Sequence, residues 1–211
     1  MSAEAGTNTT GALQGEATER QKRSDVTKLS ALFVRGEQRP PDLSTAQSAP
    51  LRRMDAENPG RDAATLFAAM EMAGLSERLS PPGRQDAPEL AQRWATVVQM
   101  IALVAGTGGG RAHDPSREAG RVVRAADYSE ARLMRLLASR GPTLRRGAVR
   151  LARFLAAKRS GALDMRPLAD LILWEGREES IAEWARLRLA RGYYGARPDD
   201  AAPDNNTTKN D

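Results

Sequence analysis

Arginine recurs through residues 120 to 174 at helical spacing beside leucine, with few acids between: GRVVRAADYSEARLMRLLASRGPTLRRGAVRLARFLAAKRSGALDMRPLADLILW. From 121 to 160 the basic residues are Arg121, Arg124, Arg132, Arg135, Arg140, Arg145, Arg146, Arg150, Arg153, Lys158 and Arg159, against Asp127 and Glu130. Eleven minus two is +9, so in a chain of net charge +5 the remainder sums to −4. A basic block inside an otherwise acidic chain concentrates positive potential in one region, as binding to a polyanion requires. Guanidinium is planar, stays charged near neutral pH and grips phosphate through two parallel hydrogen bonds. The chemistry on offer is therefore recognition of a sugar-phosphate backbone.

At 100° per residue, Leu144, Ala148, Leu151 and Leu155 share one arc of a helix, and Arg146, Arg150 and Arg153 fall on the opposite side. In the preceding helix Leu133, Leu136 and Leu137 form the core stripe, while Arg132, Arg135 and Ser139 share an outward flank. Without acids at i±4, such rows repel by a few tenths of a kcal/mol per pair, a cost that a bound phosphate removes.

Other chemistry finds little support. There is no cysteine, so disulfides and thiolate metal sites are excluded and a reducing compartment is expected. His113, the single histidine, lies in a glycine-rich loop with no partner ligands in view, and neither a metal nor a cofactor is expected. GTGGG at 106–110 is not followed by Gly-Lys-Ser/Thr and comes after a helix-periodic segment, which argues against a phosphate cradle and for a mobile loop. No nucleophile, base and orienting group can be assembled, so no enzyme activity is expected. Trp94, Trp174 and Trp184 read as core residues, Tyr193-Tyr194 as a cap on the core, and Glu175, Glu178, Glu179 and Glu183 as a solvated helix face.

The elements that must position the arginines are helical, because the core-forming residues are mainly Leu, Ala, Val and Met, and no alternating strand pattern occurs. The expected fold is all-α, a helical bundle of two subdomains. Residues 1–23 and 198–211 are polar tails expected to be disordered; 24–105 form an N-terminal helical subdomain, 106–120 the glycine-rich loop and 121–197 a C-terminal bundle. In the first subdomain SDVTKLSALFVRG is a helix capped at Ser24 and stopped at Gly36. RPPDLSTAQSAP reads as a loop before a short LRRM segment, and a helix with Leu66, Phe67, Met70 and Leu75 on one side follows. DAPELAQRWATVVQMIALVAG is the central core helix through Leu90, Trp94, Val97, Val98, Ile101 and Val104. In the second, Ser129 caps a helix ending near Gly141-Pro142, and further helices run from Leu144 to about Ser160, after Asp164, and over 178–194. No apolar run approaches the roughly 20 residues of a bilayer span, so a soluble, cytoplasmic protein with no membrane partner is expected.

Three stretches, in this order, resemble CasB, the small subunit of the type I-E CRISPR surveillance complex Cascade. They are APLRRM with the helix DAATLFAAMEMAG; SEARLMRLLASRG with LRRGAVRLARFLAAKRSGALDMRPLADLILW; and WEGREESIAEWARLRLARGYY. The resemblance spans about residues 28 to 194. This chain departs from the family in lacking a tryptophan in LSALFVRG, in carrying Met165 after Asp164, and in its GTGGG loop and tails. The resemblance implies a non-catalytic helical subunit, a homodimer within a ribonucleoprotein, whose partners are other Cascade subunits, guide RNA and target DNA. It implies that basic residues hold the backbones of the target and displaced strands and stabilise the R-loop, at positions matching Arg53, Arg132, Arg146, Arg150, Arg153 and Arg177. Arg135 joins them from its place on the helix flank. A helix-turn-helix regulator would place Asn, Gln or Ser beside arginine on its recognition helix, and a helical scaffold would need no basic block.

Overall fold

The computed structural model describes residues 25–34, 43–79, 85–106 and 111–195. The tails, Ser24, Gly36 and most of GTGGG lie outside the described residues. Those that are described form an all-α helical bundle with no strand among them. Residues 25–31 are helical (α1), followed by α2 (Thr45–Arg53), α3 (Ala63–Met72) and α4 (Ala87–Ala105). The second half contains α5 (Ala119–Ala125), α6 (Glu130–Ala138), α7 (Gly141–Ala157), α8 (Arg166–Trp174) and α9 (Glu179–Gly195).

The central helix is α4, as its periodicity predicts. Leu90, Trp94, Val97, Val98, Ile101 and Val104 are all buried, and every residue from Arg93 to Ala102 is buried with them. An amphipathic surface helix leaves one face wet, whereas α4 is enclosed on all sides because α2, α7 and α8 pack around it. One cluster of buried apolar residues runs from Val26 to Tyr193. In α7 Leu144, Ala148, Leu151 and Leu155 point into this core, and in α6 so do Leu133, Leu136 and Leu137.

Several expectations are corrected. Residues 45–50 are helix rather than loop: Ser44 Oγ accepts the Gln47 N–H at 3.2 Å and Gln47 Oε1 accepts the Ser44 N–H at 2.9 Å, a capping box that starts α2 despite its Ser, Thr and Pro content. Phe67 is 44% exposed while Leu66, Met70 and Leu75 are buried, since a residue 100° from Leu66 leaves the arc that Leu66 and Met70 share. Gly141 opens α7 instead of closing α6, with Pro142 in its first turn where the missing N–H costs nothing. Trp184 is 53% exposed, as is Tyr194, so the core role assigned to them belongs only to Trp94, to the partly buried Trp174 and to Tyr193.

The described part of the glycine-rich loop is anchored. His113 pairs with Leu163 in an isolated parallel bridge, and the Arg117 guanidinium donates to the carbonyls of Ser160 and Ala162. Its last two residues already belong to α5, which crosses α9 at Gly120: a Cβ there would lie 2.3 Å from the Leu189 carbonyl oxygen, so the two backbones meet only because the side chain is absent.

Candidate nucleic-acid interface

Arg146, Arg150 and Arg153 are exposed along the outward side of α7, where their spacing from the buried leucines puts them. Arg145 is not. It falls between the buried Ala152 and Ala156 at the edge of the inner arc, is 4% exposed, and donates from Nε to Glu57 Oε1 at 3.1 Å and from Nη2 to Glu57 Oε2 at 2.7 Å. Gln92 Oε1 accepts a further bond from it at 3.0 Å. Arg145 was counted with the basic block, yet its work is to tie the segment after α2 to α7.

Polar side chains of α4 complete that tie. Gln92 Nε2 donates to the Glu57 carbonyl at 2.9 Å, and Gln99 Nε2 donates to the carbonyls of Met54 and Arg52 at 2.5 and 3.3 Å. Buried amides satisfied in this way hold the end of α2 in one position. Arg53 is thereby placed beside α7, and a groove of about 310 Å³ forms that Arg53, Arg146, Arg150 and Arg153 line together with Asp55 and Glu57. The Asp55 carboxyl is held below its usual range by a hydrogen bond from the Asn58 side chain and stays anionic, so one rim of this groove repels phosphate.

A second groove, about 330 Å³, lies between α6 and α7. Arg132, Arg135 and Arg150 line it with Tyr128, Phe154, Ser139, Thr143 and Gly147. Gly147 leaves room for Leu136 between the helices, since a Cβ there would stand 2.9 Å from Leu136 Cδ1 and the leucine would have to shift. Arg150 thus belongs to both grooves, and six of the seven expected site residues line one or the other. Among the described residues none of these six arginine side chains has an ion pair or hydrogen bond.

Arg177 is placed elsewhere. It lines a cleft with Asp86, Arg93, Arg140 and Glu175, its Nε lies 3.6 Å from Asp86 Oδ2, and its guanidinium sits 5.7 Å from the centre of the Trp174 ring. Glu175, expected on a solvated face, is 8% exposed and accepts the Gly141 N–H at 3.2 Å. Nearby, Arg186 donates to Glu179 and Glu183 and to the Leu137 carbonyl, and Asp164 takes hydrogen bonds from Arg166 and Arg188. Burial pushes the Asp164 carboxyl up, but the Arg166 hydrogen bonds and the charges of Arg166 and Arg188 outweigh it and hold the group below the usual carboxylate range. His113 is lowered by burial, and its Nδ1 accepts the Met165 N–H at 3.2 Å, so the ring is a neutral structural acceptor. Among the described residues no group of three or more His, Asp or Glu side chains is placed to hold a metal ion.

Tyr128, Phe154 and Thr143 went unremarked in the sequence as groove-lining residues. Phe154 follows Arg153 by 100° on α7, a clue that it flanks the arginine row; Tyr128 precedes α6, and only packing reveals that it meets Phe154.

No curated protein and no solved structure matches the chain. The family model of CRISPR-associated protein Cse2 does match, over residues 47–194, which takes in α3 to α8, most of α2 and α9 and all six grouped arginines. The chain therefore belongs to the Cse2 family, also called CasB, the small subunit of the type I-E CRISPR Cascade complex.

Proposed function

We propose that this Cascade subunit is a non-catalytic clamp on nucleic-acid backbone, which uses Arg53, Arg132, Arg135, Arg146, Arg150 and Arg153 to hold the target and displaced DNA strands and so stabilises the R-loop. The observation that carries this reading is that these six exposed guanidiniums have no acidic partner among the described residues, while other arginines of the same bundle do. Phosphate contacts fix position without reading sequence, and sequence is left to pairing with guide RNA. Exchange of a DNA duplex for a guide heteroduplex is nearly balanced, so a few added phosphate contacts shift it. Arg177 is a further backbone contact in this proposal, on the separate cleft. The exposed Trp184 and Leu187 of α9 and Met134 of α6 offer apolar surface to other Cascade subunits and to a second copy of the chain.

The test is binding of the purified chain to unrelated DNA sequences over a range of salt. Substitution of Arg146, Arg150 and Arg153 by Ala should weaken all of them alike and flatten the slope of log affinity against log salt. In assembled Cascade the same variant should impair R-loop formation and leave guide-RNA loading intact. Unchanged affinity and slope would mean that the arginine face is merely solvated.

A further inference from the structure

The two grooves that meet at Arg150 differ in what lies beneath their cations. Among the described residues the Arg53 groove has no aromatic side chain and carries two carboxylates, Asp55 and Glu57. Among the described residues the α6–α7 groove has no carboxylate, and its wall holds two aromatic rings packed edge to face with centroids 5.1 Å apart, Phe154 and behind it Tyr128, which is only 7% exposed. Its volume is in the range of small-molecule sites. Phe154 is partly exposed, and the Lys158 ammonium stands 5.8 Å from its ring centre, a place already suited to a charged or π-rich neighbour. Thr143 adds an exposed hydroxyl that can donate or accept, and Gly147 leaves the wall of α7 bare.

Phosphate alone needs none of this. Cations over an aromatic wall in a pocket of this size are the usual equipment for single strands, in which a base leaves the stack and lies on a ring while its phosphates are held at the rim. A paired base in a duplex cannot enter. We infer that the α6–α7 groove takes one unpaired DNA base against Phe154, whose ring is backed by the buried Tyr128, with Arg132, Arg135 and Arg150 on the flanking phosphates, so that this part of the chain selects single-stranded DNA. The inference rests on the backbone-binding reading above and adds a base contact to it.

The experiment compares an oligothymidylate with an abasic oligonucleotide of equal length, both binding the full chain at one salt concentration. The phosphates are the same in the two probes, so any preference reports the base. The wild-type chain should bind the base-bearing strand roughly 5- to 100-fold more tightly. Photocrosslinking of a 5-iodouracil-substituted strand should label Phe154. Phe154→Leu, checked for folding by circular dichroism, should shrink the preference while leaving the abasic strand and its salt slope unchanged. Equal affinity for the two probes, with dependence on Arg146, Arg150 and Arg153 intact, would overturn the base pocket and leave the backbone reading standing. Crosslinks that map only to other residues would overturn it as well. If neither probe binds the wild-type chain, both readings fall.

Discussion

Arginine stands in two settings in this bundle, and the division follows the side of the molecule. Where α4, α8 and α9 meet, Arg93, Arg140 and Arg186 lie among Glu89, Glu175, Glu179 and Glu183, and each guanidinium is within ion-pair distance of at least one carboxylate. On the outward side of α6 and α7, Arg132, Arg135, Arg146, Arg150 and Arg153 project without such partners among the described residues. Arg145 and Arg146, adjacent in the chain, fall on opposite sides of this divide. A paired, buried guanidinium is part of the folded state, and its removal strands a carboxylate. An unpaired, exposed one contributes little to folding and keeps its hydrogen-bonding capacity for a ligand.

The comparison is open to direct attack. The largest effect should come from Glu57→Ala, which strands the buried Arg145 guanidinium and should cost about 3 kcal/mol of unfolding free energy in urea titration, near the lower end for broken buried pairs because Glu57 is itself partly exposed. Its salt slope for DNA should stay near that of the wild type under conditions where it is folded. The triple change of Arg146, Arg150 and Arg153 to Ala should do the reverse: the slope of log affinity against log salt should fall in magnitude by about 2 to 2.7, at 0.7 to 0.9 per lost contact, with stability altered by about 0.5 kcal/mol or less per site. Arg132→Ala with Arg135→Ala should lower the slope by about 1.4 to 1.8.

The paired side has a pH signature. The Asp164 carboxyl is lowered in the folded state relative to its ordinary value of 3.8, so the stability it contributes is present above that value and is lost as pH falls through the folded value. Asp164→Asn should therefore be less stable than the wild type at neutral pH, and the difference should close below about 3.8 in pH-dependent denaturation. The smallest effect is expected for Arg177→Ala. With Asp86 close by and Trp174 beneath it, this side chain should change the salt slope by less than any single arginine of the grooves. A change as large as theirs would extend the interface to the α8–α9 side.

Sequence alone determined the helical class and the two faces of α6 and α7, because a period of 3.6 residues maps leucine and arginine to opposite sides whatever the helix later packs against. It also placed the main helices to within a few residues and singled out the arginine rows proposed to meet phosphate. It did not reveal α2 before Leu51, where a capping box overrode a loop-like composition, nor the close crossing of α5 and α9 at Gly120. Nor could it find the partners of the arginines: Glu57, which takes Arg145 out of solvent, stands 88 positions away in the chain. Pairing, burial and the meeting of Arg53 with α7 or Tyr128 with Phe154 are long-range contacts, and those exist only once α4 has drawn the two halves of the chain around itself.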